Sequence, residues 1–337
     1  MLFSLAVIAR IERNDTQELN RVRSVTSSNV ATFAGLWRDA HQLTFTTASD
    51  AFVRGFNPAP HFSTAAMAPE EFTTLPRSKA KYGKCKSFRG STACTIEWDE
   101  WVMSTALLTP AHTILELGAR YGTTSCVLAR ATNNSGGVVS VEPDSSVYND
   151  LLYNRDAHHC NFHVVMGTMG PSRQKVNPRL MNGYGRTTLR ARQDEMATDA
   201  FNYRSIERRI GRRFNAALVD CEGCIFSLLQ TDLLEQLELV LMEEDGEGIT
   251  PSSYAPVHAR LRELGYARVW QSHDTFDPKA KWSQTLVHSA WARDVQAASS
   301  TQSKQPAGNR ATRPETNDLC KEAMRRNGYS HDQLNCF

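Results

Sequence analysis

Between residues 112 and 293, short apolar runs alternate with amphipathic stretches, and this alternation constrains the fold more than any other feature of the chain. The runs are "HTILELG" (112–118), "GVVSVEP" (137–143), "NFHVVMG" (161–167), "FNAALVD" (214–220), "LELVLMEED" (237–245), "ARVWQS" (267–272) and "QTLVHSAWAR" (284–293). Helical patterns separate most of them: "TTSCVLARAT", "SVYNDLLYNRDA", "IFSLLQTDLLEQ" and "YAPVHARLRELG". Apolar runs of strand length, each followed by a helix, predict βαβ units and a mainly parallel seven-stranded sheet with helices on both faces.

The domain predicted from this pattern spans 96–293. It opens with an amphipathic helix over 96–109, whose expected buried face includes Ile96, Trp101, Met103 and Leu107, and which Pro110 stops. A basic insertion at 171–213 interrupts the alternation; residues 171–214 hold eleven Arg/Lys against four Asp/Glu. Residues 1–95 read as a partly ordered N-terminal extension with a helix around 30–42. Residues 294–318 carry almost no large apolar groups and read as a disordered linker. A short C-terminal segment follows at 319–337.

A net charge of +2 gives no global attraction to nucleic acid, and no apolar stretch approaches the ~20 residues of a membrane-spanning helix. The expected partner is a small-molecule or glycan acceptor, and oligomeric state is not legible. Eight cysteines in 337 residues are too dilute for a disulfide scaffold, although Cys85/Cys94 and Cys320/Cys336 could each close a local loop. The expected compartment is the cytoplasm, with the secretory pathway as the alternative if the apolar run Leu5 to Ile8 is the remnant of a leader.

In an open parallel sheet, ligands bind outside the carboxyl ends of the strands, where strand order reverses. The residues that end each run are therefore the candidates. The first run ends in "ELGARYG", with Glu116, Gly118 and Gly122 leading into a helix. A dinucleotide fingerprint would need a third glycine at the position of Arg120, so the pattern suits a nucleoside without pyrophosphate. The second run ends in Glu142, 24 residues after Gly118, where a carboxylate can accept both ribose hydroxyls. The fourth ends in "LVDCEGC" (218–224), which offers either Asp220 and Glu222 or the Cys221/Cys224 pair as its chemistry.

With these motifs on the page, the chain resembles the FkbM-like family of S-adenosylmethionine-dependent methyltransferases. "ILELGARYGTTSCVLAR" is similar to the family's first motif and "GGVVSVEPDSSVYNDLLYN" to its second, including Asn154. "AALVDCEGC" resembles its strand-four signature, and "LVLMEED" stands in the place of its strand-five glutamate. At Glu116, Arg120 and Tyr121 the chain departs from the family, which more often has Asp followed by Asn and a smaller residue.

The resemblance implies a Rossmann-like class I methyltransferase fold over 96–293 and S-adenosyl-L-methionine as cofactor, held by Glu116, Gly118, Gly122, Glu142, Gly167, Thr168 and Asp220. It implies O-methylation of a sugar or small metabolite. Asp220, Glu222, Glu243 and Glu244 are the expected catalytic carboxylates, converging to position a hydroxyl and take its proton. A divalent cation is the alternative use of such a cluster; the expectation is no metal, since no well-placed histidine is evident. His258 is expected at the surface, His158, His159 and His163 in loop roles, and Trp98 and Trp101 in the core. Two other functions compete: a dithiol oxidoreductase or zinc protein using Cys221 and Cys224, and a non-catalytic binding protein on the same scaffold.

Overall fold

The structure, a computed structural model, describes residues 55–70, 72, 85–90, 94–170, 174–176, 188–190, 198–244, 251–273 and 286–293. The expected helix around 30–42, the linker at 294–318, the segment at 319–337 and the Cys320/Cys336 pair lie outside these residues. All described residues belong to one compact unit, Ala51–Phe337.

The seven apolar runs form seven strands: β2 (Ile114–Leu117), β3 (Val138–Glu142), β4 (Phe162–Met166), β9 (Ala216–Val219), β10 (Leu239–Glu244), β11 (Tyr266–His273) and β12 (Val287–Arg293). They share one sheet in the order β4-β3-β2-β9-β10-β12-β11, parallel from β4 to β10, with β12 antiparallel to both neighbours. Numbered along the chain, that order is 3-2-1-4-5-7-6, the Rossmann-like class I methyltransferase arrangement. The chain winds outward from β2 to β4, then returns to the centre and winds the other way from β9. The switch point therefore falls between β2 and β9.

The sheet has an eighth strand, not expected from the alternation. Residues Phe56–Asn57 (β1) pair antiparallel with Val164 and Val165 of β4 and cover that edge. A two-residue strand is too short to show a period. The histidines around β4 hold this segment in place. The Ala59 amide donates to His163 Nδ1 and the ring stacks on Phe56, so the imidazole carries its proton on Nε2, against Gly136 O. Burial lowers the pKa of His163 to about 4. His158 stacks on Phe88, and His159 Nδ1 is hydrogen-bonded to the Thr64 hydroxyl.

Strand alternation sorts the core into two faces. Ile114, Val138, Phe162, Val164, Leu218, Leu241 and Ala290 pack beneath helices α1 (Trp98–Leu107), α2 (Thr123–Ala131) and α3 (Tyr148–Ala157). Leu115, Val139, Val165, Ala217, Val240, Met242 and Trp291 face α4 (Tyr203–Ile210), α5 (Ile225–Leu228), α6 (Leu233–Gln236) and α7 (Ala255–Glu263). The expected helix over 225–236 is thus two single turns. The short strands β5 (Thr168–Met169) and β8 (Ala200–Phe201) pair with each other, as do β6 (Gln174–Val176) and β7 (Thr188–Arg190), and helix α4, inside the basic insertion, leads from β8 to β9. Its boundaries carry ordinary signals: the Asn202 side chain accepts from the Arg204 amide, and Gly211 ends it in the left-handed region.

Helix α1 departs from its expected stripe. Ile96 and Leu107 are only half-buried, whereas every residue from Trp98 to Ser104 is buried. Phe72 explains this by packing edge-on against both Trp98 and Trp101, so the helix has protein on its outer side as well. Both tryptophans are core residues, as expected. Among the described residues, no helix is long and apolar enough to cross a membrane.

Candidate active site

The ends of β2 and β9 meet at the switch point. The Asp220 amide donates to Leu117 O, and the amides of Gly118 and Ala119 both donate to Val141 O. Gly118 has φ +99°, and a Cβ there would lie 1.6 Å from Asp220 O. Only glycine fits, and the neighbour that demands it is the crossing backbone. The next turn holds Arg120 at φ 46°, where a fingerprint glycine would stand. In that conformation its amide donates to Glu142 Oε2 at 2.8 Å, while the Asp144 amide donates to Glu142 Oε1 at 2.6 Å. The Arg120 guanidinium pairs with Asp144 at 3.2 Å. Burial pushes the Glu142 carboxyl up to about 7, although both amides favour its ionised form.

One strand further, the carboxyl ends of β9 and β10 carry Asp220 and Glu243 on the face that α1 covers. Period two dictates this: Leu218 and Leu241, two residues earlier on each strand, point to the same side. Helix α1 and the 3₁₀ turn before it (Cys94–Glu97) add Glu100 and Glu97, three residues apart and so on one helical face. β12 adds His288, directly opposite Glu243 in the antiparallel register. The ligand atoms of Glu100, Glu243 and His288 lie within 4.8 Å of one another, as do those of Glu97, Glu100 and Asp220. The Thr124 hydroxyl donates to Glu100 Oε2 at 3.2 Å. Glu97, Glu100 and His288 are buried; Asp220 and Glu243 keep some surface open.

Burial, reinforced by neighbouring carboxylates, raises the pKa of both Glu100 and Asp220 well above the ordinary range. For Glu100 the added repulsion comes chiefly from Asp220, and for Asp220 chiefly from Glu243.

The expected convergence of four carboxylates holds for a different set. Glu244 is next to Glu243 on an extended strand and so faces the opposite side of the sheet. There it accepts from Ser289 Oγ at 2.6 Å and is bonded to His258 Nε2 at 2.9 Å, away from Asp220. His258 is therefore not a surface residue; it is half-buried, stacked on Trp291 and tied to Glu244. Glu222 stays beside Asp220 and adds to the repulsion there, from a left-handed φ of 56°. Cys221 and Cys224 are bonded to each other and lock this turn, rather than packing as free thiols.

Glu97, Glu100 and His288 belong to none of the sequence motifs. The legible signal was a pair of glutamates interleaved with Trp98 and Trp101, acidic where the stripe is apolar. His288 sits amid the apolar alternation of "VHSAWAR" with no motif around it.

The remaining candidates for cofactor contact occupy distinct places. Glu116 is fully buried in β2, accepts from Ser125 Oγ at 2.6 Å, and is pushed by burial up to about 7. Gly122 starts α2 at φ +81°, with Leu151 and Phe162 where a Cβ would be. Gly167 and Thr168 are covered by the β8 strand: the Thr168 amide donates to Asp199 O, and a Cβ on Gly167 would strike Asp199 O and Phe201. Asn154 reads backbone on both sides, accepting from the Arg89 amide and donating to Arg89 O and Tyr121 O.

No protein-family model and no curated protein matches the chain. Among solved structures it is similar to a precorrin-6y C5,15-methyltransferase from Geobacter metallireducens (12% identity over 64% of this chain and 94% of that one, TM-score 0.35). It is also similar to the O-methyltransferase TomG from Streptomyces achromogenes, solved with S-adenosylmethionine (15%, 68% and 93%, TM-score 0.37). A third is the O-methyltransferase from Bacillus cereus, solved with S-adenosylhomocysteine (12%, 58% and 78%, TM-score 0.33).

Proposed function

We propose that this chain is an S-adenosyl-L-methionine-dependent methyltransferase acting on a hydroxyl of a sugar or small metabolite. The observation that carries the reading is the placement of Glu142 and the Asp220 cluster at the carboxyl ends of adjacent halves of one sheet, flanking its switch point. Each Glu142 oxygen accepts one backbone amide and keeps a lone pair for a ribose hydroxyl. Gly118, Gly122 and the Arg120 turn border the same end, and the FkbM-like affiliation and the choice of oxygen as acceptor rest on the four sequence motifs. The cofactor supplies a methyl group on a sulfonium, an electrophile that needs no further activation.

The chain's part is to hold the acceptor in line and receive its proton. Asp220 and Glu243, the two members of the cluster with open surface, are the groups placed to do so. On transfer of the methyl from the sulfonium sulfur to the acceptor oxygen, Asp220 or Glu243 would take the hydroxyl proton. The products are a methyl ether and S-adenosylhomocysteine. Cys85, Cys126, Cys160, Cys221 and Cys224 are all in disulfides, which favours an oxidising compartment over the expected cytoplasmic one.

Calorimetric titration with S-adenosylhomocysteine tests the cofactor, and mass spectrometry of candidate acceptors with labelled methyl donor tests the transfer. Binding that weakens at least about tenfold in Glu142→Ala is the expected result. Absence of any heat or thermal shift with either form of the cofactor sinks the reading.

A further inference from the structure

We propose that Glu97, Glu100, Asp220, Glu243 and His288 form a binding site for one divalent cation of the Mn²⁺ class. Two kinds of observation point there, and the first is the donor set. In each of two triads that share Glu100, the ligand atoms lie within 4.8 Å of one another. Six-coordinate bonds of about 2.1 Å place neighbouring ligand atoms about 3 Å apart and opposite ones about 4.2 Å apart. The triads therefore need only a small contraction. Carboxylates with one imidazole suit Mn²⁺, and they lack the thiolates that mark a structural zinc site.

The second kind is unpartnered polarity. His288 is 1% exposed, and neither of its ring nitrogens has a hydrogen-bond partner. Its Nε2 lies 3.3 Å from Glu243 Oε1, close but without hydrogen-bond alignment, as two ligands of one ion would lie. Glu100 Oε1 is likewise buried without a partner, while Oε2 is held by Thr124. A native interior rarely leaves such atoms unmatched, and one bound ion would match His288 Nε2 and Glu100 Oε1 together. The charge supports this. Among the described residues, no lysine or arginine pairs with Glu97, Glu100 or Asp220. Several carboxylates buried together without a cation or shared protons repel one another strongly.

Binding of the ion does not depend on the methyl-transfer reading; only its use does. On that reading, an ion beside Asp220 and Glu243 would orient the acceptor hydroxyl and lower its pKa.

The test uses the full chain, stripped with chelator and titrated with Mn²⁺ alone, without cofactor or acceptor. The expected result is one equivalent bound, a raised melting temperature, and an electron spin-echo modulation from a directly bonded imidazole nitrogen. His288→Gln and Glu100→Gln should each weaken binding at least tenfold, while Glu235→Gln, on the exposed surface, should not. The spin-echo measurement needs no variant, so misfolding of a core substitution leaves the proposal falsifiable. No stoichiometric binding, or binding with no nitrogen modulation, overturns it. Cofactor titration is run separately, so loss of one reading leaves the other standing.

Discussion

Glu116 shows how one buried side chain can set a pH response. It sits in the middle of β2, with the Ser125 hydroxyl on one oxygen and no hydrogen-bond partner on the other. Its pKa of about 7 in the folded chain lies above the unfolded value of about 4.3. The folded state therefore binds more protons across that window. The resulting stabilisation is fully present below about pH 4.3 and is lost as pH rises to about 7. Glu142 acts in the same direction. Glu116→Gln removes the buried charge, keeps the shape and lets an amide donate towards Ser140, its neighbour in the β2–β3 register. Denaturation midpoints from pH 5 to 8 should fall less steeply in this variant, with a gain of about 1–3 kcal/mol at pH 8. An unchanged slope would mean that Glu116 does not titrate in this range.

At the scale of elements, the Cys126–Cys160 disulfide ties α2 to the residue pair that precedes β4, across a sequence separation of 34. Both cysteines are fully buried in the core beneath α1–α3. Their pairing is not legible in the sequence, because Cys126 lies in a helical pattern and Cys160 before a strand, with nothing local to join them. Their adjacency follows from β3 lying between β2 and β4, which sets α2 beside the start of β4. A closed loop of this size reduces the freedom of the unfolded chain by about 3–4 kcal/mol. The Cys126→Ala/Cys160→Ala double variant should lose stability of that order in chemical denaturation. Equal midpoints for variant and native protein would show that the link contributes nothing. In contrast, the 225–236 region reads as one helix and folds as two single turns. There the Thr231 hydroxyl donates to Leu228 O and so ends the first turn.

For the molecule as a whole, the edge of the sheet at β4 is closed by residues that belong to no recognisable motif. Phe56–Asn57 pair with β4, Phe72 closes α1, and His158, His159 and His163 fasten the segment between them. A chain beginning at residue 96 would expose a buried strand edge and the outer side of Trp98 and Trp101. It should self-associate and melt lower than a chain beginning at residue 51, as light scattering and thermal denaturation would show. Equal monomeric behaviour of the two would mean that the segment is dispensable. What was read as an N-terminal extension thus contributes, over its described residues, to the sheet and the core.

How much was legible follows from the range of the forces involved. Seven strands and the strand ends at Gly118, Glu142 and Asp220 were readable because burial imposes periods of 2 and 3.6 on nearby residues; the strand order, and with it the switch point between β2 and β9, was not. Those local patterns, with the order of the runs, determined the class of fold. The composition of the site was decided by tertiary structure. Only the sheet order brings His288 opposite Glu243, and only the covering of α1 turns Glu97 and Glu100 inward; strand alternation, a local period, already sends Glu244 away from Glu243's side of the sheet. Five residues from four separate segments acquire a common chemistry because burial holds their side chains together, and a linear sequence carries no period that marks such a meeting.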